Sequence, residues 1–208
     1  MRVSDDRSVN HRGLDSHYST RDRILKEIIL LLNTMAPSPS IKLAQNKLRN
    51  TINMYNKNLS PLGLRFVKFR DPNLFQIVHG KASHILVSTN PGNMSATFQR
   101  GNTYSKNRGK GIGLVLRTFA TALLRNAGYV KVAHQGFNFQ NRNNASMKKT
   151  GNLPITTYML RKNLGFKPTG NAQNNRSVWL ANSRSGVAKL RNAEQRSRNK
   201  LRSLPRSP

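Results

Sequence analysis

The residues with the clearest chemical potential are three glycines and two cations in the segment Arg108-Gly109-Lys110-Gly111-Ile112-Gly113. An amphipathic run from Leu114 to Ala127 follows directly, so the pattern predicts a glycine loop that opens into a helix. Backbone N–H groups approach an anion closely only where side chains are absent, and the first helical turn leaves several N–H donors unpaired. The positive end of the helix dipole adds to this attraction. The segment therefore predicts a site for a phosphate-bearing ligand.

Two common nucleotide-binding loops do not fit this segment. The dinucleotide fingerprint has glycines at its first, third and sixth positions and an acid about twenty residues later. Here the glycines fall at 109, 111 and 113, and no acid lies near residue 133. A P-loop needs Gly, four residues and then Gly-Lys-Ser/Thr, which is also absent. Both nucleotide fingerprints are therefore excluded.

The chain is strongly basic, with 36 Lys and Arg against 7 Asp and Glu among 208 residues, a formal net charge of +29. This excess predicts attraction to a polyanion, either nucleic acid or an assembly that contains it. Because cysteine is absent, thiolate metal sites, disulfides and a cysteine nucleophile are excluded, and no metal site is predicted.

Apolar segments are short throughout the chain. The longest, Ile28–Leu32, could not span a bilayer, and residues 1–20 lack the apolar core of a secretory signal. We therefore expect an intracellular protein that is soluble or assembly-associated (cytoplasmic, nuclear or in a virion) and not secreted.

The elements that must position the glycine loop can be predicted from periodicity and turn residues. Helical spacing covers residues 20–35, 41–52, 113–127 and 155–164. The expected strands are Leu64–Phe69, Leu74–His79, Ser83–Thr89, Ala96–Tyr104, Tyr129–Gln135 and Ser177–Ala181. This order predicts an α/β (α+β) fold in which helices flank a mixed central sheet. We expect a flexible polar and basic arm at 1–19, a domain at 20–182 and a basic C-terminal tail at 183–208.

Two motifs resemble those of one enzyme family. The loop resembles motif A of the GNAT superfamily of N-acetyltransferases, whose signature Arg/Gln-x-x-Gly-x-Gly/Ala is filled by Arg108, Gly111 and Gly113. Downstream, residues 158–166 resemble motif B, which ends in Leu-Gly-Phe. The resemblance covers roughly residues 20–182. It implies a GNAT-like sheet and acetyl-CoA as the cofactor.

In such proteins the loop N–H groups bind the CoA pyrophosphate, and two parallel strands separate to admit the pantetheine arm. By this resemblance the separating strands are Ala96–Tyr104 and Tyr129–Gln135. The implied cofactor-binding residues are Arg108, Gly109, Lys110, Gly111, Ile112 and Gly113.

Catalytic residues are harder to assign, because no Asp or Glu lies between Asp71 and Glu194, a span with nine Lys and nine Arg. An acetyltransferase must take a proton from the acceptor amine, commonly with a carboxylate. His134 is the remaining candidate base, and a packed core histidine is the alternative. Tyr104 could bind a water or the ligand. Tyr158 could replace the family's general acid, whose place is taken by Arg161; packing remains the alternative for both tyrosines.

Two functions stay open on this sequence. The first is a GNAT-like acetyl-CoA-dependent N-acetyltransferase whose acceptor is neutral or lies in an anionic context, because a cationic acceptor would be repelled. The second is a non-catalytic GNAT-fold basic structural protein of a nucleic-acid-containing assembly, such as a virion, minor capsid or ribonucleoprotein component. In either case the basic tails could contact a protein assembly.

Overall fold

A computed structural model of the chain describes residues 39–80, 83–103, 110–135, 155–169 and 176–203. The predicted arm at 1–19 and the helix expected over 20–35 lie outside these ranges. So do three predicted site residues, Tyr104, Arg108 and Gly109. No helix in the described ranges is long and apolar enough to cross a membrane.

The first described element is helix α1 (Pro39–Leu59), which a 3₁₀ turn (Ser60–Leu62) connects to strand β1 (Leu64–Lys68). Its buried stripe recurs at helical spacing and consists of Leu48, Ile52, Tyr55 and Leu59. Asn56 also pairs with the main chain of β1. Its amide nitrogen donates to the Phe66 carbonyl (2.9 Å), and its carbonyl oxygen accepts from the Phe66 N–H (2.7 Å). Helix α1 is therefore joined to the outer strand by packing and hydrogen bonds.

Strand β1 begins an antiparallel meander that continues through β2 (Leu74–His79), β3 (Ser83–Asn90) and β4 (Ser95–Thr103). Fully buried and half-buried residues alternate along β2 and β3. Alternation of this kind is produced when one face of a sheet packs on a core, since successive side chains point to opposite faces.

After the antiparallel meander, the sheet continues with one pair of parallel strands. Helix α2 (Ile112–Asn126) connects β4 to β5 (Lys131–Gln135), and these two strands are parallel. Strand β7 (Arg176–Leu180) pairs antiparallel with both β5 and the short β6 (Lys167–Pro168). The sheet order is β1-β2-β3-β4-β5-β7-β6. The predicted fold class, a mixed central sheet flanked by helices, is confirmed.

The C-terminal segment differs from the prediction of a basic tail beginning at 183. Residues Arg184–Ser203 form helix α4, which packs against α2 and against α3 (Ile155–Leu164). Its buried residues, Leu190, Ala193 and Leu201, belong to the main core. The prediction of a separate tail is therefore wrong for residues 184–203, because their apolar stripe is buried while the numerous bases occupy the solvent side.

Close packing between α3 and α4 depends on two glycines. Gly165 ends α3 with φ +74°, and a Cβ at this position would lie 2.7 Å from the Cα of Gly186 on α4. Since real Cβ atoms do not approach backbone so closely, a side chain at 165 would force the helix away. The contact fixes where α4 passes over the domain.

Candidate functional site

The glycine loop leads into α2 with a left-handed residue. Gly111 precedes the helix with φ +72°, and no side chain caps the first turn. The Gly111 carbonyl accepts hydrogen bonds from the N–H groups of Leu114 (3.1 Å) and Val115 (3.2 Å). The N–H groups of Ile112 and Gly113 therefore lie before Leu114, whose N–H is the first to donate to the Gly111 carbonyl. This is the arrangement in which a helix terminus offers N–H donors to an anion.

Two lysines place positive charge at this loop. Lys110 is exposed and directly precedes Gly111. Lys200 comes from α4, and its Nζ would lie 3.2 Å from a Cβ built on Gly111. Lys200 is absent from the predicted site residues because its segment has the composition of a basic tail. The apolar spacing of Leu190, Ala193 and Leu201 was the signal that could have indicated a packed helix.

The parallel pairing of β4 and β5 ends one residue before the last residue of β5. Their parallel ladder runs from Ser95↔Lys131 to Phe98↔His134 and stops there, whereas β4 continues beside β3 to Thr103. A bulge at Gln99, between the partners of Val87 and Leu86, marks the same point. The separation of the two strands that the resemblance implies stays a prediction, because β5 ends at Gln135 and the residues after it lie outside the described ranges.

Arg117 connects the loop to the part of β4 that extends past its ladder with β5. It lies one turn into α2 and donates from a terminal nitrogen to the Gly113 carbonyl at 3.0 Å. A Cβ on Gly101 of β4 would lie 3.1 Å from the other terminal nitrogen, so this glycine leaves room for the guanidinium. Burial lowers the pKa of Arg117 to about 10, which leaves it charged at neutral pH. This part of β4 therefore has a positively charged guanidinium beside it.

His134 occupies the last position of the parallel ladder. It is 5% exposed, its ring centroid lies 6.4 Å from that of Phe98, and neither ring nitrogen has a hydrogen-bond partner among the described residues. Burial, followed by the charges of Arg117 and Arg161, lowers its pKa to about 3. The imidazole is therefore neutral at physiological pH. A pKa so far below the working pH argues against its predicted role as general base.

The two candidate positions on α3 behave differently. Arg161 donates from Nε to the Ser177 hydroxyl (2.8 Å) and from a terminal nitrogen to the Arg176 carbonyl (3.2 Å), so it joins α3 to β7. Tyr158 is half-buried, and its ring lies 5.6 Å from the Nζ of Lys162 on the same helix. The role of Tyr158 as proton donor stays a prediction.

The acids in the described ranges have other partners. Asp71 accepts a hydrogen bond from the Asn73 N–H (2.8 Å), and Glu194 pairs with Arg198 (2.9 Å). No group of three His, Asp or Glu in these ranges could hold a metal ion. The arrangement therefore offers backbone donors, cations and one neutral imidazole, and it suits an anionic ligand.

Comparisons with known proteins find similarity only at the level of solved structures. No family model matches the chain, and no curated protein matches it. Nourseothricin acetyltransferase aligns at 18% identity with a TM-score of 0.33, over 53% of this chain and 65% of that one. A third of that enzyme therefore has no counterpart in the alignment.

Two further structures align over more of their length. The ribosomal-protein-S18-alanine N-acetyltransferase from Escherichia coli is 12% identical, with a TM-score of 0.33 over 70% of this chain and 87% of that one. A CoA-dependent acyl-homoserine lactone synthase, solved with SAM and isopentyl-CoA, is 9% identical, with a TM-score of 0.36 over 81% and 85%. At such identities and TM-scores, these likenesses assign no activity to this chain.

Proposed function

We propose that this chain binds acetyl-CoA at the loop Lys110–Gly113 and acts as an acetyl-CoA-dependent N-acetyltransferase. One observation carries the proposal. A left-handed Gly111 precedes the uncapped first turn of α2, and Arg117 connects that turn to the part of β4 that extends past its ladder with β5.

The residues present fit the phosphates of such a ligand. The N–H groups of Ile112 and Gly113 would donate to the pyrophosphate, and Lys110 and Lys200 would neutralise its charge. Gly111 leaves space for the phosphates. A Cβ at this position would fill that space and would lie 3.2 Å from the Nζ of Lys200. Carboxylates near the loop would repel the ligand, but the sequence has no Asp or Glu between residues 72 and 193.

The chain's own groups would position substrates more than they move protons. When bound, an acyl-CoA supplies the acyl group as a thioester. The neutral imidazole of His134 has one N–H donor and one acceptor, both buried and without a partner among the described residues. Arg117 and Arg161 keep the surroundings positive, so an amine would have to arrive uncharged or attached to an anionic molecule. That requirement defines the acceptor class that we propose.

A second function is favoured by the same imidazole. With a pKa of about 3 for His134 and both described acids engaged elsewhere, the site has no evident base at neutral pH. A fold of this kind could act as a basic structural component of a nucleic-acid-containing assembly, in a virion or a ribonucleoprotein, without catalysing transfer. Turnover separates the two functions.

The binding experiment compares two matched glycine substitutions by calorimetry with acetyl-CoA. Gly111→Glu puts a carboxylate at the loop, and Gly63→Glu puts one at another exposed left-handed position (φ +76°). We expect wild type and Gly63→Glu to bind alike. Gly111→Glu should bind about tenfold more weakly or worse, because a carboxylate some 4 Å from a phosphate repels it by about 1 to 4 kcal/mol.

Absence of acetyl-CoA binding by the wild type, or equal weakening by both substitutions, would contradict the proposed site. Both variants carry the same backbone strain, so their unfolding midpoints show whether either loss reflects misfolding. Release of free CoA thiol is then followed with a panel of neutral and phosphate-bearing amines. Transfer to any of them supports the enzyme, and binding without transfer supports the structural role.

A further inference from the structure

A second cationic region lies at the β1 edge of the sheet, between α1 and the hairpin of β1 and β2. It is a groove that is partly open to solvent. Its floor is buried and apolar, formed by Leu48, Ile52 and Phe75. Phe69 lines it directly after β1 and is 45% exposed, which is unusual for a phenylalanine. We call this feature the α1–hairpin groove.

Positive charge surrounds this apolar floor. Three exposed cations line the groove: Arg49, Lys68 and Arg70. Lys68 is held toward α1 by a hydrogen bond from Nζ to the Asn53 side-chain oxygen (3.0 Å). The acid in the lining, Asp71, already accepts the N–H of Asn73 in the hairpin turn. The groove therefore combines an accessible aromatic face with a net positive rim.

This combination suits one class of polymer. Phosphates on a flexible backbone pair with Lys and Arg, while unpaired bases stack on exposed aromatic rings. A cationic or purely apolar partner would leave the rim uncompensated. In a duplex the bases are already stacked and paired, so they could not enter a concave groove to reach Phe69.

We propose that the α1–hairpin groove binds single-stranded nucleic acid, with one base against Phe69 and neighbouring phosphates at Arg49, Lys68 and Arg70. Any base has a face that stacks, so the contact tolerates different sequences. The groove shares no residue with the loop Lys110–Gly113 or with strands β4 and β5. This proposal therefore does not depend on acyl-CoA binding.

The aromatic contact is tested by fluorescence anisotropy with a fluorescein-labelled oligo(dT). We expect Phe69→Ala to weaken binding about five- to hundredfold through lost stacking, and Phe69→Tyr to retain wild-type binding. Val67→Ala removes an equally exposed apolar side chain of β1 that does not line the groove, and it should leave affinity unchanged. Equal affinities for Phe69→Ala and Val67→Ala would overturn the proposal.

The phosphate contacts are tested with two charge-matched double substitutions. Arg49→Glu with Arg70→Glu reverses the groove, whereas Lys189→Glu with Arg196→Glu reverses two exposed bases of α4. The groove variant should lower the slope of log affinity against log salt by about 1.4, since each phosphate contact contributes roughly 0.7 for single strands. If the α4 variant causes the same reduction, only the overall charge matters and the groove is not the site.

Competitors decide which polymer is recognised. Unlabelled single strand should displace the probe, whereas a duplex of the same length and inorganic polyphosphate should compete at least tenfold less well. Equal competition by polyphosphate would overturn the stacking contact, and equal competition by duplex would overturn the choice of single strand. Acetyl-CoA affinity should be the same in Phe69→Ala and wild type, so failure here is distinguishable from failure of the acyl-CoA proposal.

Discussion

The candidate site has two regions, an entrance at Lys110, Gly111 and Lys200 and an interior around His134. Both regions carry positive charge, but that charge has opposite consequences in them. At the entrance, Lys110 and Lys200 flank Gly111 and reach solvent, where their ammonium groups attract anions at little cost. In the interior, Arg117 and Arg161 lie around the buried His134, and their charges help to lower its pKa to about 3. The entrance thus gains binding capacity from positive charge, whereas the interior loses a base.

The difference between the two regions comes from desolvation. A surface cation keeps its hydration and is screened by salt, but a buried imidazole must lose its proton when nothing compensates the charge. The entrance should therefore respond to charge and ionic strength with modest changes in affinity. The interior should respond to pH with large changes in stability.

Acid titration should produce the largest effect. His134 is protonated below about pH 6.5 in the unfolded chain but only near pH 3 in the folded one. Its contribution is therefore complete above pH 6.5 and is lost as pH falls toward 3, because the unfolded state binds the extra proton. At 1.36 kcal/mol per pKa unit, the loss is at most about 4 to 5 kcal/mol. Urea unfolding at a series of pH values measures it.

His134→Leu isolates this effect from the titration of carboxylates. The variant should show a flatter dependence of unfolding free energy on pH than the wild type. The pKa of His79 is also lowered by burial, so a smaller dependence of the same sign should remain in His134→Leu. A wild-type pH dependence in His134→Leu would remove the proposed contrast between interior and entrance.

A smaller loss of stability should follow from separating α4 from the core, which also tests how the entrance is built. Gly165→Ala combines left-handed strain with a Cβ 2.7 Å from the Cα of Gly186. We expect a loss of about 2 to 4 kcal/mol in urea unfolding. Displacement of α4 would also move Lys200 away from Gly111 and weaken the entrance.

Gly128→Ala is the matched control for this substitution. It also has a positive φ (+95°), but the atoms nearest to its Cβ belong to the flexible ends of Lys47 and Met94. Its loss should be confined to backbone strain of about 1 to 2 kcal/mol. If both variants lose the same free energy, the contact between Gly165 and Gly186 does not fix α4.

Local patterns predicted most of the elements in the described part of the chain. The helical stripe of α1, the alternation of β2 and β3, and the helix after Gly111 were all visible as periodicity. Helix α4 was not, because its many bases resembled a solvated tail and its few buried residues (Leu190, Ala193, Leu201) are widely spaced. The basic composition reflects the solvent-exposed face of that helix, whereas its buried face determines where the helix packs.

The site was predictable only in its backbone. Glycine spacing indicated the anion loop, since left-handed residues and uncapped first turns are local properties. The environment of His134 was not predictable, because Arg117 and Arg161 are brought to it by two different helices. A pKa depends on neighbours that are distant in the chain, so its direction required the fold.

The smallest expected effect concerns the side-chain charge at the entrance. Lys200→Glu should weaken acetyl-CoA binding about three- to tenfold at low salt, because the exposed charge acts through water and is worth about 1 kcal/mol. The difference should shrink as ionic strength rises. Unfolding midpoints should stay the same, since Lys200 is exposed.

Arg196→Glu makes the same charge change one turn earlier on α4, where the side chain is also exposed. It should bind acetyl-CoA like the wild type if the contribution of Lys200 comes from its position over Gly111. Equal weakening by both variants would mean that the overall charge of +29 attracts the ligand without local placement. The entrance would then be an ordinary part of a basic surface, and only its backbone donors would distinguish it.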